Sequence, residues 1–567
     1  MKTSLAAITI LTLCAVHALC ADEQDVPRAS PKDTQWWENA RFGMFIHWGP
    51  YSLKGVEASW PLYGGSVPRA EYEALPQRFN PTKLDAPAIA RLARRAGMKY
   101  LVFTSKHHDG FAMYDTALSD YSIMHTPYDK DICRMIVDAC RAKGLRVGFY
   151  FSMPDWHHPD YMTAPSNRKP GPGLLPQELD PARWERYVRF LHGQVRELCT
   201  NYGKLDIMWF DLGGSHTAEQ WKSAELHEMV RGLQPHIIIN NRGGGDFGDY
   251  ATPEQRVPAG GQAGLWETCM TINRTWAYNP SDTRYKSVDE LLTVLANTAS
   301  GGGNLLLNVG PMPTGEIQPE FVERLEAIGD WLRVNGISIY GTRAAPGKLC
   351  PEQRITMTDR RLFVHILAPP KDGKLRLSGL VNPIVDAHLL STRQPLPVTR
   401  LGEDVAIDLS GVGVPLKHEV VVIRFRNSLD ASIAIRPGPD GIIPLLARDA
   451  TCHGEQVRYQ DKYDDIGAWM STSDWVEWKA RIEREADYEV IISQGAPRGQ
   501  GGTYTLRAGT NALACMVTET GSWTQYENVT LGSLRLAPGV YDVSIRPMAI
   551  KAVALMNVKY VEIRPND

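Results

Sequence analysis

What most constrains this chain is an alternation that repeats from about residue 36 to residue 340. Short runs rich in Val, Ile, Leu and Phe end in polar or aromatic residues. Each is followed by a stretch whose apolar residues recur at helical spacing. The runs at 42–47, 100–104, 146–151, 205–210, 236–240 and 305–309 read as strands. Between them, Asp85 with Pro87, Asp131, and Asp180 with Pro181 carry helix-start signals. Ile89, Leu92, Ala93 and Ala96 form one buried stripe, and Gly97 stops it. Trp184, Val188, Leu191, Val195 and Leu198 form another.

Strands that are apolar on both faces and separated by amphipathic helices belong to parallel βα units. No G-x-G-x-x-G follows the first strand, which removes support for a dinucleotide-binding sheet. Polar and aromatic residues gather just after the strands, where a barrel of parallel strands has its site. The expected fold class is therefore α/β, a (β/α)₈-like barrel over 22–340. From 341 the pattern changes to short strands and turns, read as a small antiparallel β-sandwich over 341–429. A second sandwich is expected over 430–567, with strands near 488–493, 502–506, 512–517, 530–536 and 541–545. Trp475, Trp478, Trp523 and Tyr526 are expected mainly to fill its core, leaving one or two for a surface on which a sugar ring stacks.

Residues 1–21 read as a secretory leader. Lys2 supplies the positive charge, an apolar run follows, and small residues precede Asp22. The mature protein is expected to be secreted or periplasmic, and no later segment is long and apolar enough to span a membrane. A formal net charge of −3 over 567 residues, with no long basic run, argues against a nucleic-acid partner. Seven cysteines follow the leader, with no C-x-x-C spacing, so neither a zinc ribbon nor a disulfide framework is expected.

The chemistry-bearing residues lie after the strands. Ile207-Met208-Trp209-Phe210-Asp211 is an apolar strand ending in a carboxylate, which in a parallel barrel opens on the active-site mouth. Such an aspartate can attack an anomeric carbon; its alternative is a helix cap. A retaining glycosidase needs a second carboxyl group to protonate the leaving oxygen. Glu254, in a loop, and Glu267, beside Trp266 at an expected strand end, are the two candidates. Lys106-His107-His108-Asp109-Gly110 brings two histidines to another strand end. With no H-E-x-x-H or facial triad beside them, they read as hydrogen-bonding groups for sugar hydroxyls rather than as metal ligands. His47 joins them, and Arg242 can bind a hydroxyl or orient a carboxylate.

Together, several stretches resemble the α-L-fucosidases of glycoside hydrolase family 29. They are Arg41-Phe42-Gly43-Met44-Phe45-Ile46-His47-Trp48-Gly49, Lys106-His107-His108-Asp109-Gly110-Phe111, Met208-Trp209-Phe210-Asp211, Asn241-Arg242, Trp266-Glu267-Thr268-Cys269 and Gly303-Asn304-Leu305-Leu306-Leu307-Asn308-Val309-Gly310-Pro311. The resemblance implies exo-hydrolysis of terminal α-L-fucose from glycans with retention and without a cofactor. It implies Asp211 as nucleophile and Glu254, with Glu267 second, as acid/base. It implies His47, Trp60, His107, His108, Trp209 and Arg242 as sugar contacts. Where the family often has Glu-Trp early in the barrel, this chain has Ser59-Trp60. A non-catalytic glycan-binding barrel, or a retaining glycosidase for a fucose-like sugar such as a galactoside, are the other readings.

Overall fold

The structure is a computed structural model. It describes residues 26–161, 180–258 and 264–566, apart from 346–348, 351, 381, 403, 430–433, 439, 455 and 461–462. The leader and the expected domain boundary at 430 lie outside the described residues.

Seven parallel strands form the first sheet: β1 (Phe42–Ile46), β2 (Tyr100–Lys106), β3 (Arg146–Ser152), β4 (Ile207–Asp211), β5 (Ile238–Ile239), β6 (Glu267–Thr271) and β7 (Asn304–Val309). Their order is β5-β4-β3-β2-β1-β7-β6. Each strand therefore lies beside its sequence neighbour, and β1 lies beside β7. The sheet curls toward closure. Among the described residues between β5 and β6 there is no regular eighth strand. Residues 249–254 fill the gap instead, with parallel bridges from Tyr250 to Asn240 and from Ala251 and Glu254 to Trp266 and Cys269.

Side chains on a strand alternate between faces, and here the two faces meet different cores. Met44, Leu101, Phe103, Phe149, Met208, Phe210 and Leu307 point outward and pack on the surrounding helices. Phe45, Tyr100, Val102, Tyr150, Ile207, Trp209 and Leu306 point inward and form a separate cluster inside the barrel. Gly43 is also an interior position. A Cβ there would sit 2.3 Å from the Tyr100 ring, so this strand leaves its neighbour's aromatic the space it needs.

The main helices after β1 are α1 (Ala86–Arg95), α2 (Ile132–Ala142), α3 (Pro181–Asn201), α4 (Ser223–Leu233), α5 (Val288–Ser300) and α6 (Pro319–Asn335). Asp85, Asp131 and Asp180 cap the first three by accepting backbone N–H bonds, as the sequence suggests, and Ser287 with Glu290 forms a capping box on α5. Cys133, Cys140, Cys199, Cys269, Cys350, Cys452 and Cys515 are all unbridged.

Beyond the barrel, strands Ile384–Leu389, Val420–Phe425, Arg361–His365, Arg354–Thr358 and Arg343–Ala344 form one sheet, and Lys374–Leu377, Asp404–Asp408 and Val398–Leu401 a second. The first packs Phe363, Leu390, Val420 and Val422 on Trp331 of α6. Two larger antiparallel sheets enclose the core of the last unit. Trp478 belongs to that core and donates its indole N–H to the Leu446 carbonyl. Trp475 lies between His453 and Arg546, from the strands on either side, at 3.8 and 3.5 Å, so neither ring face is open for a sugar. Trp523 is half-buried, and Tyr526 donates its hydroxyl to Asp465.

Helices α1 and α6 approach closely at Gly329, where a Cβ would lie 1.9 Å from the Arg95 carbonyl oxygen. Gly329→Ala is expected to destabilise the barrel by about 1–3 kcal/mol through overpacking, read by denaturant unfolding against the parent chain.

Candidate active site

Alternation along β4 brings Ile207, Trp209 and Asp211 to the barrel interior, with Asp211 at the carboxyl end. Leu212 turns the chain away with φ 56°. Gly213 then passes so close to the next loop that a Cβ would lie 2.4 Å from the Arg242 carbonyl. Both oxygens of Asp211 are occupied. Oδ1 accepts from Arg242 at 3.2 Å and from the Leu212 N–H at 2.9 Å; Oδ2 accepts from the Tyr150 hydroxyl at 2.9 Å. His108 Nε2 stands 3.9 Å from Oδ2. Burial pushes the carboxyl's pKa up, but Arg242, His108 and Tyr150 outweigh it and hold the group below its ordinary value.

Arg242 follows β5, and the segment that closes the barrel holds it. Its Nε and one terminal nitrogen donate to the Thr252 hydroxyl and carbonyl at 2.8 and 2.9 Å. The other terminal nitrogen donates both to Asp211 and to Glu254 Oε2, the latter at 2.9 Å. Burial alone would lower the Arg242 pKa, yet the two carboxylates keep it above the ordinary value. Glu254 lies at the mouth with its side chain 41% exposed, whereas the Asp211 side chain is 14% exposed.

The histidines form a wall beside Asp211. His47 Nδ1 pairs with Asn308 Oδ1 at 2.7 Å, His108 Nδ1 with Ser152 Oγ at 2.7 Å, and His107 Nδ1 with Ser59 Oγ at 2.5 Å. Each ring is thus oriented through one nitrogen. Burial lowers all three, His47 and His108 to about 4, so the rings are neutral near pH 7. Trp60 is exposed at the rim, edge-on to His108 and Trp156. Trp209 lies inside, stacked on Tyr150.

The structure thus brings Asp211, Glu254, Arg242, His47, His107, His108, Trp60 and Trp209 to one end of the barrel. Glu267 is elsewhere. It is the first residue of β6, not the last residue of a strand, and is fully buried. Its carboxylate accepts from Tyr100, the first residue of β2, and from the Trp209 indole at 3.2 Å. Burial pushes it up to about 7.

Tyr150, Ser152 and Asn308 are missing from the sequence reading; strand alternation next to Phe149, Phe151 and Val309 would have flagged them as interior. Trp276 and Glu57 are also missing, and no local signal marks them. The Trp276 ring lies 4.9 Å from His47, and its backbone N–H donates to both Glu57 oxygens at 3.0 and 3.1 Å. Burial raises Glu57 to about 7.

Behind the histidines lies a buried charge network. Lys106 donates to Gln194 at 3.0 Å and lies 3.7 Å from Asp155. Asp109 accepts from Tyr72 at 2.8 Å. Gly110, at φ 79°, has no space for a Cβ, which would lie 2.0 Å from Asp155. Among the described residues, no group of three or more His, Cys, Asp or Glu side chains could hold a metal ion.

Comparison with known proteins gives a consistent result. Residues 19–337 match the family model described as Alpha-L-fucosidase. Human plasma α-L-fucosidase is 29% identical over 401 residues, covering 64% of this chain and 82% of its own. Among solved structures, α-L-fucosidase isoenzyme 1 from Paenibacillus thiaminolyticus matches with a TM-score of 0.65 at 37% identity, over 70% of this chain and 99% of that one. A GH29 α-L-fucosidase from Bacteroides thetaiotaomicron, solved as a trapped covalent intermediate, matches with a TM-score of 0.64 at 27% identity, over 70% of this chain and 97% of that one.

Removing the Lys106 cation leaves the buried Asp155 carboxylate its bonds from the His157 and His158 backbone N–H groups but takes away a facing positive charge. Lys106→Met is expected to cost about 3–5 kcal/mol of folding stability, checked by urea unfolding.

Proposed function

The chain belongs to the α-L-fucosidase family of glycoside hydrolases, and from that premise we propose that it is a retaining exo-α-L-fucosidase with Asp211 as nucleophile and Glu254 as acid/base. The observation that carries this reading is the shared bond to Arg242. One guanidinium nitrogen serves both carboxylates, so their two bonded oxygens are at most about 6 Å apart, close to the roughly 5–5.5 Å separation of carboxyl groups in retaining enzymes. The covalent intermediate of the Bacteroides thetaiotaomicron relative supports the same route.

The two groups have environments suited to different tasks. Asp211 has a lowered pKa and is ionised near neutral pH, as a nucleophile must be. Tyr150 and Arg242 fix both of its oxygens, which limits the motion lost on reaching the anomeric carbon. Glu254 is on a more exposed segment at the mouth, where a leaving group departs. In the first step Asp211 forms the glycosyl ester while Glu254 gives its proton to the leaving oxygen. In the second, Glu254 takes a proton from water, and that water displaces Asp211. The neutral histidines and Trp209 bind the fucose ring, and Trp60 borders the leaving group's side. The leader-like sequence at 1–21 supports action outside the cytoplasm.

Asp211→Ala is expected to abolish release of fucose from an aryl α-L-fucoside; retained turnover would overturn the assignment. Glu254→Ala is expected to lose activity that added azide restores, with a fucosyl azide of retained configuration as product. Arg242→Ala removes the cation that lowers the Asp211 pKa. Since Asp211 must be ionised to attack, the acidic limb of the kcat/KM–pH profile should move to higher pH, measured by initial rates across pH 3–8.

A further inference from the structure

We propose that Glu267 is a positioning residue, holding the Trp209 ring from beneath so that Tyr150 and Arg242 present their donors correctly to Asp211. This rests on the assignment of Asp211 and Glu254 above.

Glu267 is a buried carboxyl group at the amino end of the strands, outside the first contacts of any sugar bound at the mouth. One of its oxygens accepts from Tyr100, the other from Trp209 Nε1. Trp209 is two residues before Asp211 on β4 and shares its face. The indole ring has one polar atom, and Glu267 is its partner, so this bond sets the rotation of the ring. A buried N–H left without a partner is costly, so without the acceptor the ring would turn to find another.

The ring's neighbours are the groups that bind Asp211. Tyr150 stacks on Trp209 with centroids 5.6 Å apart and planes at 22°. The Arg242 guanidinium lies 4.9 Å from the ring centroid. Tyr150 donates to one Asp211 oxygen; Arg242 donates to the other and to Glu254. A rotation of Trp209 would therefore move both supports of the nucleophile and one support of the acid/base. Glu267 itself need touch neither substrate nor water.

The test is a double-mutant cycle of Glu267→Met and Trp209→Phe, read as kcat and KM on an aryl α-L-fucoside and accompanied by thermal unfolding. Glu267→Met keeps the side chain's length and removes both acceptor oxygens, and Trp209→Phe removes the N–H. Alone, Glu267→Met is expected to lower kcat/KM by about tenfold to a hundredfold, mainly in kcat, the scale of a misplaced reacting group. In the Trp209→Phe background the same change should cost much less. An equal cost in both backgrounds, or lowered stability with unchanged kinetics, overturns the proposal. Glu267→Ala activity restored by azide overturns it too and makes Glu267 the acid/base. Failure of azide to restore Glu254→Ala, with the coupling intact, sinks the Glu254 assignment alone. If Glu267→Met does not fold, Glu267→Asp, which keeps the charge but withdraws it from the indole, is read in the same cycle.

Discussion

The site depends on one cation shared by two carboxylates. Asp211, taken out of water, would favour its protonated form without a cation beside it. Arg242 relieves this by placing a single nitrogen between Asp211 and Glu254. Its position has consequences for the backbone. The guanidinium must be held, and Thr252 does so with its hydroxyl and its carbonyl. Thr252 lies in the 249–254 segment that bridges β5 to β6 in place of a regular strand. Closing the barrel and assembling the charged site are thus parts of one arrangement.

Strand alternation supplies the rest of the geometry. Interior positions occur at every second residue, so each strand contributes side chains at successive heights. Tyr100, Glu267 and Asn304 occupy the amino end; Phe45, Val102 and Trp209 lie above them; His47 and Asp211 stand at the carboxyl end. Gly43 gives up its side chain so that Tyr100 fits. Glu267 bonds Tyr100 and Trp209 across these layers, as desolvation requires of most buried polar groups. The exterior positions that pack on the helices are mostly apolar, with Lys106 of β2 as a charged exception bonded to Gln194 of α3.

The small sandwich is fastened to the barrel rather than tethered by a loop. Trp331 packs on its sheet and donates to the His418 carbonyl at 2.9 Å, and Asp289 of α5 bonds both Lys417 and His418. These contacts hold the back of α5 and α6, the helices flanking β7, and β7 carries Asn308 toward His47. In the last unit Trp475 and Trp478 serve packing. Trp478 is in the core, and a histidine and an arginine cover the faces of Trp475.

Much of the fold was legible in the sequence because its signals are local. Apolar runs, Asp caps and a change of period after residue 340 each follow from neighbouring residues, and they suffice for parallel βα units followed by antiparallel sheets. Asp211 was legible for the same reason: a carboxylate after four apolar residues ends a strand. The partner carboxylate was not. Glu254 and Glu267 both follow β5, thirteen residues apart in the chain, and nothing local says which end of the barrel each occupies. Tertiary structure decided it through register. β6 begins at Glu267, opposite Asn304, which sends that carboxylate to the amino end beside Tyr100. The segment before β6 lies alongside it as the closing element and brings Glu254 to the mouth. Likewise Trp276 and Glu57, 219 residues apart, meet only because their loops share one rim. The sequence by itself determined six of the seven parallel strands and the place of Asp211 at the end of one of them. Only closure of the barrel decided which carboxylate faces Asp211, because that depends on pairings between strands and not on any residue's neighbours along the chain.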